Sequence, residues 1–295
     1  MSSSTAEGMD TFGGTINNIV SQNTMNSPTA QSMGDKDFMD FPNIINTFDG
    51  AHFSGSLGRV TKPVFRIISK NVRGLGTEDR LRELLTETKL LNGNWDILVL
   101  SETWREEGFE MWATDDGHLF ANAGCEEKRR GTGFLVHSKW VPYMKQFVPV
   151  NERISYIKIV KGKVKVTIVA VYYPHSGYGD EAVQGMYDAL GEIVAESKLR
   201  KEHIIISGDF NAEIGQRAET DDGRFIGDRT MGEQNPRGFW LKRWCEMQGI
   251  TIANSLYPKR DENTATEANR FRFGMREDKA VAQERWCNFG FGHMV

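Results

Sequence analysis

An aspartate and an asparagine stand two positions apart directly after an apolar run in the middle of the chain. They are Asp209 and Asn211 in the stretch SGDFNAEIG, which follows the run HIII at 203–206. Residues i and i+2 of an extended segment point to the same side, so both side chains would face one cleft at the end of a sheet. The alternative is a local turn, because Asp and Asn side chains readily bond to the backbone two residues on.

Polar side chains accompany three other apolar runs in the same way. Asn71 follows FRIISK, Glu102 follows DILVLS, and Tyr172 lies within VAVYYP. Enzymes built on sheets collect their reactive groups from several strands at one end of the sheet, where loops can reach them. Taken alone, Glu102 is better interpreted as a surface carboxylate and Tyr172 as a core residue. Four such positions on four strands favour a functional site.

The elements that carry these residues are a mixture of strands and helices, in which several strands follow one another and could form hairpins. Apolar and β-branched runs predict strands over 64–69, 95–102, 131–137, 154–160, 165–173, 203–207 and 250–255. Helical spacing of apolar residues predicts helices over 77–91, 180–199 and 236–249, the first of them with a threonine cap. This order predicts an α/β protein, with a mixed sheet or a two-sheet sandwich flanked by helices.

Composition divides the chain into three segments. Residues 1–60 are rich in Ser, Thr, Asn, Gly and Met without a sustained period, which predicts a disordered N-terminal extension. Residues 61–260 contain nearly all the predicted elements, and the polar, weakly periodic stretch 261–295 is interpreted as a divergent tail. The net charge of −4 falls on the first 60 residues, so the rest is neutral. A neutral body excludes a strongly basic nucleic-acid-binding protein but allows an enzyme that contacts phosphates locally.

The sequence carries no sign of secretion or membrane insertion. No apolar stretch approaches the roughly 20 residues that span a bilayer, and the start MSSSTAEGMD lacks a basic region followed by an apolar one. Cys125, Cys245 and Cys287 are far apart and odd in number, which favours free thiols in a reducing compartment. We therefore expect a soluble intracellular protein of the nucleus or cytoplasm with no membrane partner. The oligomeric state stays open.

Five stretches in a characteristic order resemble the endonuclease/exonuclease/phosphatase superfamily. They are KNVRGLG, LSETW, GTGFLV, VYYPHSGYGDEAVQGMYDAL and SGDFNAEIG, within a likeness that covers about residues 62–260. The stretches YYPHSGYGDEAV and NPRGFWLKRWCEMQGITIANS are most similar to endonuclease domains of non-LTR retrotransposons and to craniofacial development protein 2-like proteins. The superfamily implies a deoxyribonuclease I-like, four-layered sandwich, in which two mixed, mostly antiparallel sheets are flanked by helices.

The resemblance also implies roles for the polar residues that follow the strands. Glu102 and Asn71 match the family's ligands of Mg²⁺ (or Mn²⁺), a hard ion that prefers oxygen donors. Asp209 matches the residue that handles the proton of the attacking water or the leaving group, or that binds a second metal. Asn211 matches the donor to the phosphoryl oxygens. These four residues are expected at one site.

Further residues are expected to contact the substrate. Tyr172 matches the family's tyrosine that hydrogen-bonds the phosphate through its hydroxyl, and the neighbouring Tyr173 is the alternative for that role. Lys128, Arg129 and Arg130 in EKRRGTG could contact the backbone phosphates of DNA, the alternative being a solvated loop.

The chain departs from the family pattern after TIANSLYPKR. Residues 261–295 contain no Thr-Trp, no Ile-Asp-Tyr and no Ser-Asp-His, the motifs that supply a histidine and the aspartate that orients it. His293 lies where a final histidine would fall, but Gly292 precedes it, and an incidental histidine is the alternative. The expected function is Mg²⁺-dependent hydrolysis of DNA phosphodiester bonds by a retrotransposon-derived endonuclease. The alternatives are a catalytically impaired pseudoenzyme or scaffold whose C-terminal part is truncated or divergent, and a phosphatase on the same fold.

Overall fold

The computed structural model describes residues 64–126, 129–230, 232–256, 269–275 and 280–282. They all belong to one compact unit within Phe41–Val295. Beyond Leu256, only the backbone of two short strands is described. The predicted extension over 1–60, most of the predicted tail, Lys128 and His293 lie outside the described residues.

The first sheet contains seven strands. They are β1 (Val64–Asn71), β2 (Ile97–Ser101), β3 (Gly108–Ala113), β4 (Leu119–Gly124), β5 (Thr132–Val136), β10 (Asn269–Met275) and β11 (Ala280–Ala282). Their order across the sheet is β11-β10-β1-β2-β5-β4-β3. Only β1 and β2 run parallel, and every other neighbouring pair is antiparallel. The sheet is therefore mixed and mostly antiparallel.

The second sheet contains four strands. They are β6 (Met144–Asn151), β7 (Ile154–Lys161), β8 (Val164–Tyr172) and β9 (His203–Asp209), in that order across the sheet. The first three form antiparallel pairs, whereas β8 and β9 run parallel. A parallel neighbour requires a crossover connection, and the 20-residue helix between β8 and β9 provides it.

Three α-helices complete the part of the chain that the structure describes. They are α1 (Glu78–Leu90), α2 (Asp180–Leu199) and α3 (Pro236–Gln248). Helix α1 begins after Thr77, whose side chain accepts the N–H of Arg80 at 3.3 Å. Helix α3 begins after the cap Asn235 and ends at Gly249, which takes the left-handed conformation at φ 62°. These caps place the helix ends within one residue of those predicted.

Apolar side chains form three separate layers of core. One lies between α1 and the first sheet and includes Ile68, Leu81, Leu84, Leu98 and Leu135. A second lies between the two sheets and includes Ile67, Val99, Phe134, Ile157 and Ile168. The third lies between the second sheet and helices α2 and α3 and includes Val169, Val171, Leu190, Leu241 and Trp244. Adjacent residues of one strand, such as Ile67 and Ile68, point into different core layers. The elements are therefore stacked in the order helix, sheet, sheet, helix. This confirms the predicted four-layered α/β sandwich.

The structure differs from the sequence-based element order at a few places. No strand forms over 250–255, because Ile252 makes only an isolated parallel bridge to Ile226 and Ala253–Ser255 then forms a 3-10 turn. Strands β3, β4 and β6 were not predicted. Strand β3 pairs on one side only and is largely exposed, so its sequence lacks a clear apolar alternation. Strands β10 and β11 fall in the segment predicted as a divergent tail.

Two further observations concern the compartment predictions. Cys125 and Cys245 are buried free thiols, as predicted, and Cys287 lies outside the described residues. Over the part of the chain that the structure describes, no helix is long and apolar enough to cross a membrane.

Candidate active site

The carboxyl ends of four strands meet at one rim of the sandwich. Strands β1 and β2 are parallel neighbours in the first sheet, and β8 and β9 are parallel neighbours in the second. Parallel neighbours end at the same edge of a sheet. Strand β9 packs across the interior against β1 and β2, and β8 packs against β2. The polar residues at these four strand ends are therefore brought together from both sheets.

The amide of Asn71 joins two carboxylates. Its Nδ2 donates to Oε1 of Glu102 at 2.5 Å and to Oδ2 of Asp209 at 3.2 Å. Its Oδ1 accepts the backbone N–H of Arg73 at 3.2 Å. Asn71 and Glu102 stand at the ends of β1 and β2 in one sheet, whereas Asp209 ends β9 in the other. Three oxygen-bearing side chains thus converge at a single point between the sheets.

The backbone at this rim is unusual. Among the described residues, six that are not glycine have a positive φ, and four of them lie here: Arg73, Glu102, Trp104 and Asn211. Left-handed conformations of such residues cost on the order of 1–3 kcal/mol each and persist where the surroundings impose them. At Glu102, with φ 55°, the carbonyl oxygen is held by the N–H of Gly74 at 2.8 Å. The fold therefore holds the Glu102 segment in a defined orientation at an energetic cost.

The glycine before Asp209 explains how that side chain reaches the site. Gly208 has φ 144°, and a Cβ atom there would overlap the carbonyl oxygen of Val171 on the neighbouring strand. Only glycine tolerates this close approach. Asp209 is 8% exposed, with one carboxylate oxygen towards Asn71 and the other accepting the N–H of Asn211 at 3.0 Å. The local turn that was weighed as an alternative is therefore present, while the other carboxylate oxygen of Asp209 bonds to Asn71.

Asn211 takes a different position from the one that an extended segment implies. Strand β9 ends at Asp209, and Asn211 has φ 47°, so the two side chains do not lie on one face of a strand. The side-chain Nδ2 of Asn211 donates to the carbonyl oxygen of Tyr173 at 2.8 Å. Asn211 therefore ties the loop after β9 to the end of β8, beside the cluster.

The two neighbouring tyrosines point to opposite sides. Tyr172 is half-buried, and burial raises its pKa to about 12, together with the charges of Glu102 and Asp209 and a hydrogen bond to Glu102. Its hydroxyl therefore stays protonated near neutral pH. Tyr173 is 2% exposed, stacks on Phe210, and its hydroxyl has no hydrogen-bond partner within the described structure. Of the two candidates, Tyr172 faces the cluster and Tyr173 packs in the core.

Arg153 belongs to this neighbourhood but was not predicted from the sequence. Its guanidinium lies 5.2 Å from the ring centroid of Tyr172 and donates to the Tyr172 carbonyl oxygen at 3.2 Å. The antiparallel pairing of β7 with β8 aligns Ile154 with Val171, which places Arg153 beside Tyr172. The sequence did contain a signal for this contact, because β7 and β8 are consecutive strands with alternating apolar residues and would be expected to form a hairpin.

The donor groups fit a hard divalent cation. Mg²⁺ prefers oxygen ligands, keeps several waters and needs only one or two carboxylates from the protein. Glu102 and Asp209 supply two carboxylates, and Asn71 supplies an amide oxygen with a second lone pair beyond its bond from Arg73. Within the described ranges, no group of three or more His, Cys, Asp and Glu side chains is positioned for a metal. Water would therefore complete the coordination shell.

Comparison with known proteins gives one family and several similar folds. The model described as "Endonuclease/Exonuclease/phosphatase family" matches residues 68–246. No curated protein sequence matches the chain. The endonuclease domain of TRAS1, a telomere-specific non-LTR retrotransposon, is 15% identical over 70% of this chain and 79% of its own, with a TM-score of 0.41. The AP endonuclease LMAP from Leishmania major is 16% identical over 63% and 67%, with a TM-score of 0.43. The 3′ phosphatase NExo from Neisseria is 18% identical over 62% and 71%, with a TM-score of 0.40.

Proposed function

This chain belongs to the endonuclease/exonuclease/phosphatase family, whose model matches more than half of it, and on that premise we propose that it hydrolyses DNA phosphodiester bonds with a divalent metal ion. The superfamily predicted from the five sequence motifs is thereby confirmed. The closer relationship to retrotransposon endonucleases and craniofacial development protein 2-like proteins remains part of the proposal, and so does a nuclear or cytoplasmic location.

One observation carries the proposal. The amide of Asn71 donates to carboxylates of both Glu102 and Asp209, which come from different sheets. Phosphodiester hydrolysis requires a means of offsetting phosphoryl charge, a means of activating water and donors for the transition state. Two carboxylates that converge from different sheets on one amide supply the negative charge and the oxygen ligands that a hard divalent cation prefers.

Each residue then has a defined part. Glu102 and Asn71 would hold Mg²⁺ (or Mn²⁺), which when bound supplies positive charge for the phosphoryl oxygens. Asp209 takes a proton from the attacking water, its carboxylate being oriented by the N–H of Asn211 and the amide of Asn71. As the new P–O bond forms, the bond to the leaving oxygen breaks, and that oxygen takes its proton from solvent.

Two side chains donate to the phosphate. Tyr172 keeps its proton throughout the physiological range, and its hydroxyl, which bonds to Glu102 in the structure, would donate to the phosphate instead once Glu102 holds the metal ion. Asn211 uses one N–H of its amide on the carbonyl oxygen of Tyr173, and an amide nitrogen carries two. Its second N–H serves a phosphoryl oxygen.

The test is plasmid nicking in Mg²⁺ or Mn²⁺ by the full chain. We expect Glu102→Gln and Asp209→Asn, which keep the shape of each side chain, to lower the rate at least about 100-fold. The matched control is Glu83→Gln, on the exposed face of α1, which should nick like the wild type. Circular dichroism establishes that each variant is folded. The proposal fails if the folded wild type does not nick, or if both site variants remain fully active.

A non-catalytic binding protein is the second candidate, and a sequence observation favours it. Residues 261–295 contain no Ser-Asp-His, and Gly292 stands before His293. Groups that act as a unit in catalysis lose several orders of magnitude in rate when one is missing. Folded protein that binds DNA without any turnover would support this candidate. Turnover of phosphomonoesters without nicking would instead indicate the third candidate, a phosphatase.

A further inference from the structure

Two arginine side chains converge on the side chain of Tyr178, in the loop before α2. Arg130 donates through Nη2 to the Tyr178 hydroxyl at 3.4 Å, and its guanidinium lies 5.8 Å from the centroid of the same ring. The guanidinium of Arg153 lies 5.0 Å from that centroid. Both distances are within the range of cation–π attraction. We call Arg130, Arg153 and Tyr178 the arginine–tyrosine cluster.

This cluster adjoins the candidate active site. Arg153 lies over the ring of Tyr172 as well as over that of Tyr178, so it connects the two tyrosines. The carbonyl oxygen of Arg130 accepts the N–H of Trp104, two residues after Glu102. The cluster is therefore held directly beside the residues proposed for hydrolysis.

The position of the cluster is fixed by its neighbours. Arg237 of α3 donates to the carbonyl oxygen of Tyr178 at 2.8 Å and to Asp180 at 2.8 Å. Arg130 pairs with Glu152 at 2.8 Å. The loop that carries Tyr178 and the side chain of Arg130 are both anchored, so the Tyr178 hydroxyl is held in place before any ligand binds. This lowers the entropic cost of binding.

The charge of Arg153 is the second observation. Arg153 is 7% exposed, and within the described structure its guanidinium contacts one carbonyl oxygen, two aromatic rings and the Tyr178 hydroxyl, with no carboxylate at ion-pair distance. A buried cation without a carboxylate is costly, and aromatic rings offset only part of that cost. A phosphate beside it would supply the missing negative charge. Arginine is well suited to that partner.

We infer that Arg130 and Tyr178, supported by Arg153, bind a phosphate group next to the one that is cut, so that the substrate is an extended polynucleotide. The Tyr178 oxygen accepts from Arg130, which leaves the hydroxyl hydrogen to donate to a phosphate oxygen. This inference rests on the proposed function, because it assigns a flank of the same site. It gives a role to one of the three basic residues of the EKRRGTG stretch.

Binding is measured first, separately from hydrolysis. Fluorescence anisotropy with a labelled 20-nucleotide DNA in EDTA reports Kd for variants made in a Glu102→Gln background. We expect Arg130→Gln and Tyr178→Phe each to weaken binding at least about fivefold at moderate salt. We also expect Arg130→Gln to reduce the slope of log Kd against log salt by about one. Tyr178→Phe keeps the ring and removes only the hydroxyl, so it separates phosphate binding from loop packing.

The matched control is Arg200→Gln. Arg200 pairs with Glu196 at 2.9 Å, as Arg130 pairs with Glu152, but it lies at the C-terminal end of α2. A helix of this length places it about 30 Å from Tyr178. Its Kd and salt slope should equal those of the parent protein. Unchanged binding in both cluster variants, or an equal loss in the control, would overturn the inference.

Hydrolysis is measured second, in protein that retains Glu102. Arg130→Gln should lower the ratio of kcat/KM on DNA to kcat/KM on bis(p-nitrophenyl) phosphate at least about tenfold, because the small diester has no neighbouring phosphate. An equal loss on both substrates would overturn the inference. If the wild type hydrolyses neither substrate while DNA binding still depends on Arg130, the proposed hydrolysis fails and the phosphate site stands.

Discussion

Replacing Asn71 with aspartate changes one N–H₂ group at the centre of the candidate site into a carboxylate oxygen. The Asn71 nitrogen donates to Glu102 at 2.5 Å and to Asp209 at 3.2 Å. In Asn71→Asp both hydrogen bonds disappear and three carboxylates meet at one point. We expect the variant to be less stable than the wild type without divalent ions, and to gain more stability than the wild type when Mg²⁺ is added.

The magnitude follows from two contributions. A hydrogen bond to a charged group contributes about 1.5–3 kcal/mol to the free energy of unfolding. The two hydrogen bonds of Asn71 are only partly buried, so each should contribute near the lower value. Repulsion is limited because a carboxyl group can take up a proton instead. Keeping a carboxyl group with an ordinary pKa near 3.9 protonated at pH 7 costs about 4 kcal/mol. The protonated group then supplies one hydrogen-bond donor in the place of the lost amide. We therefore expect a loss of about 3–5 kcal/mol in the free energy of unfolding at pH 7.

The assay is thermal unfolding followed by circular dichroism, in EDTA and in millimolar Mg²⁺. For a domain of this size each kcal/mol shifts Tm by about 2–4 °C, so Asn71→Asp should unfold about 6–20 °C below the wild type at pH 7. At about pH 5.5 protonation is cheaper, and the loss in free energy should be about 2 kcal/mol smaller. Mg²⁺ should recover much of the difference, because it binds the folded cluster and not the unfolded chain.

The matched control is Asn122→Asp in the first sheet. Asn122 is 1% exposed and donates to Oε1 of Glu110 at 3.4 Å, and Glu110 pairs with Arg105. This variant also buries a carboxylate near another, so it should lose stability, but Mg²⁺ should not restore it. The reasoning is refuted if Asn71→Asp matches the wild type in EDTA, or if Mg²⁺ restores both variants equally.

Two further predictions concern acid stability and the tyrosine pair. Burial lowers the pKa of both His118 and His137, that of His137 to about 4, and their rings lie 4.7 Å apart. Because the folded-state pKa lies below the ordinary value of 6.5, their contribution to stability is complete above about pH 6.5 and is lost as the pH falls towards 4. After allowance for solvent screening, the loss in the free energy of unfolding is on the order of 1 kcal/mol, or about 2–4 °C in Tm. Replacing both histidines with glutamine should flatten this part of the profile of Tm against pH. Tyr172→Phe should lower kcat for nicking about 100-fold, and it should also lower the free energy of unfolding by about 1.5 kcal/mol because it removes the hydroxyl that bonds to Glu102. Tyr173→Phe removes a buried hydroxyl without a described partner and should keep full activity with equal or higher Tm. Equal activity of the two tyrosine variants would contradict the assignment of Tyr172 to the site.

Local patterns in the sequence carry most of the element order. The helices over 78–90, 180–199 and 236–248 lie within one or two residues of their predicted bounds, because capping residues and apolar spacing act over a few neighbouring positions. Strands such as β7 and β8 were recognised because one or both faces are buried. Strand β3 was missed because it is an exposed edge, where packing places little constraint on the sequence.

The residues of the candidate site were predicted from the sequence as a set, but their arrangement was not. Glu102, Asp209 and Asn71 were named together on the strength of their positions after apolar runs and of the family resemblance. Their shared hydrogen bonds link positions 31 and 138 residues apart, which no local pattern specifies. Asn211 was expected in an extended conformation but adopts a left-handed one. The chain turns there so that the Asn211 side chain donates to the carbonyl oxygen of Tyr173, next to the end of β8.

The sequence by itself determined the three described helices, the strands β1, β2, β5, β7, β8 and β9, the residues that could supply oxygen atoms, and the family to which the chain belongs. Only the tertiary structure decided which tyrosine faces the site and that Arg153 lies over it. It also decided that two sheets each contribute a carboxylate to the same amide. Propensity and capping act between near neighbours, whereas these contacts depend on the parallel pairs β1–β2 and β8–β9 ending at one rim after the two sheets pack face to face.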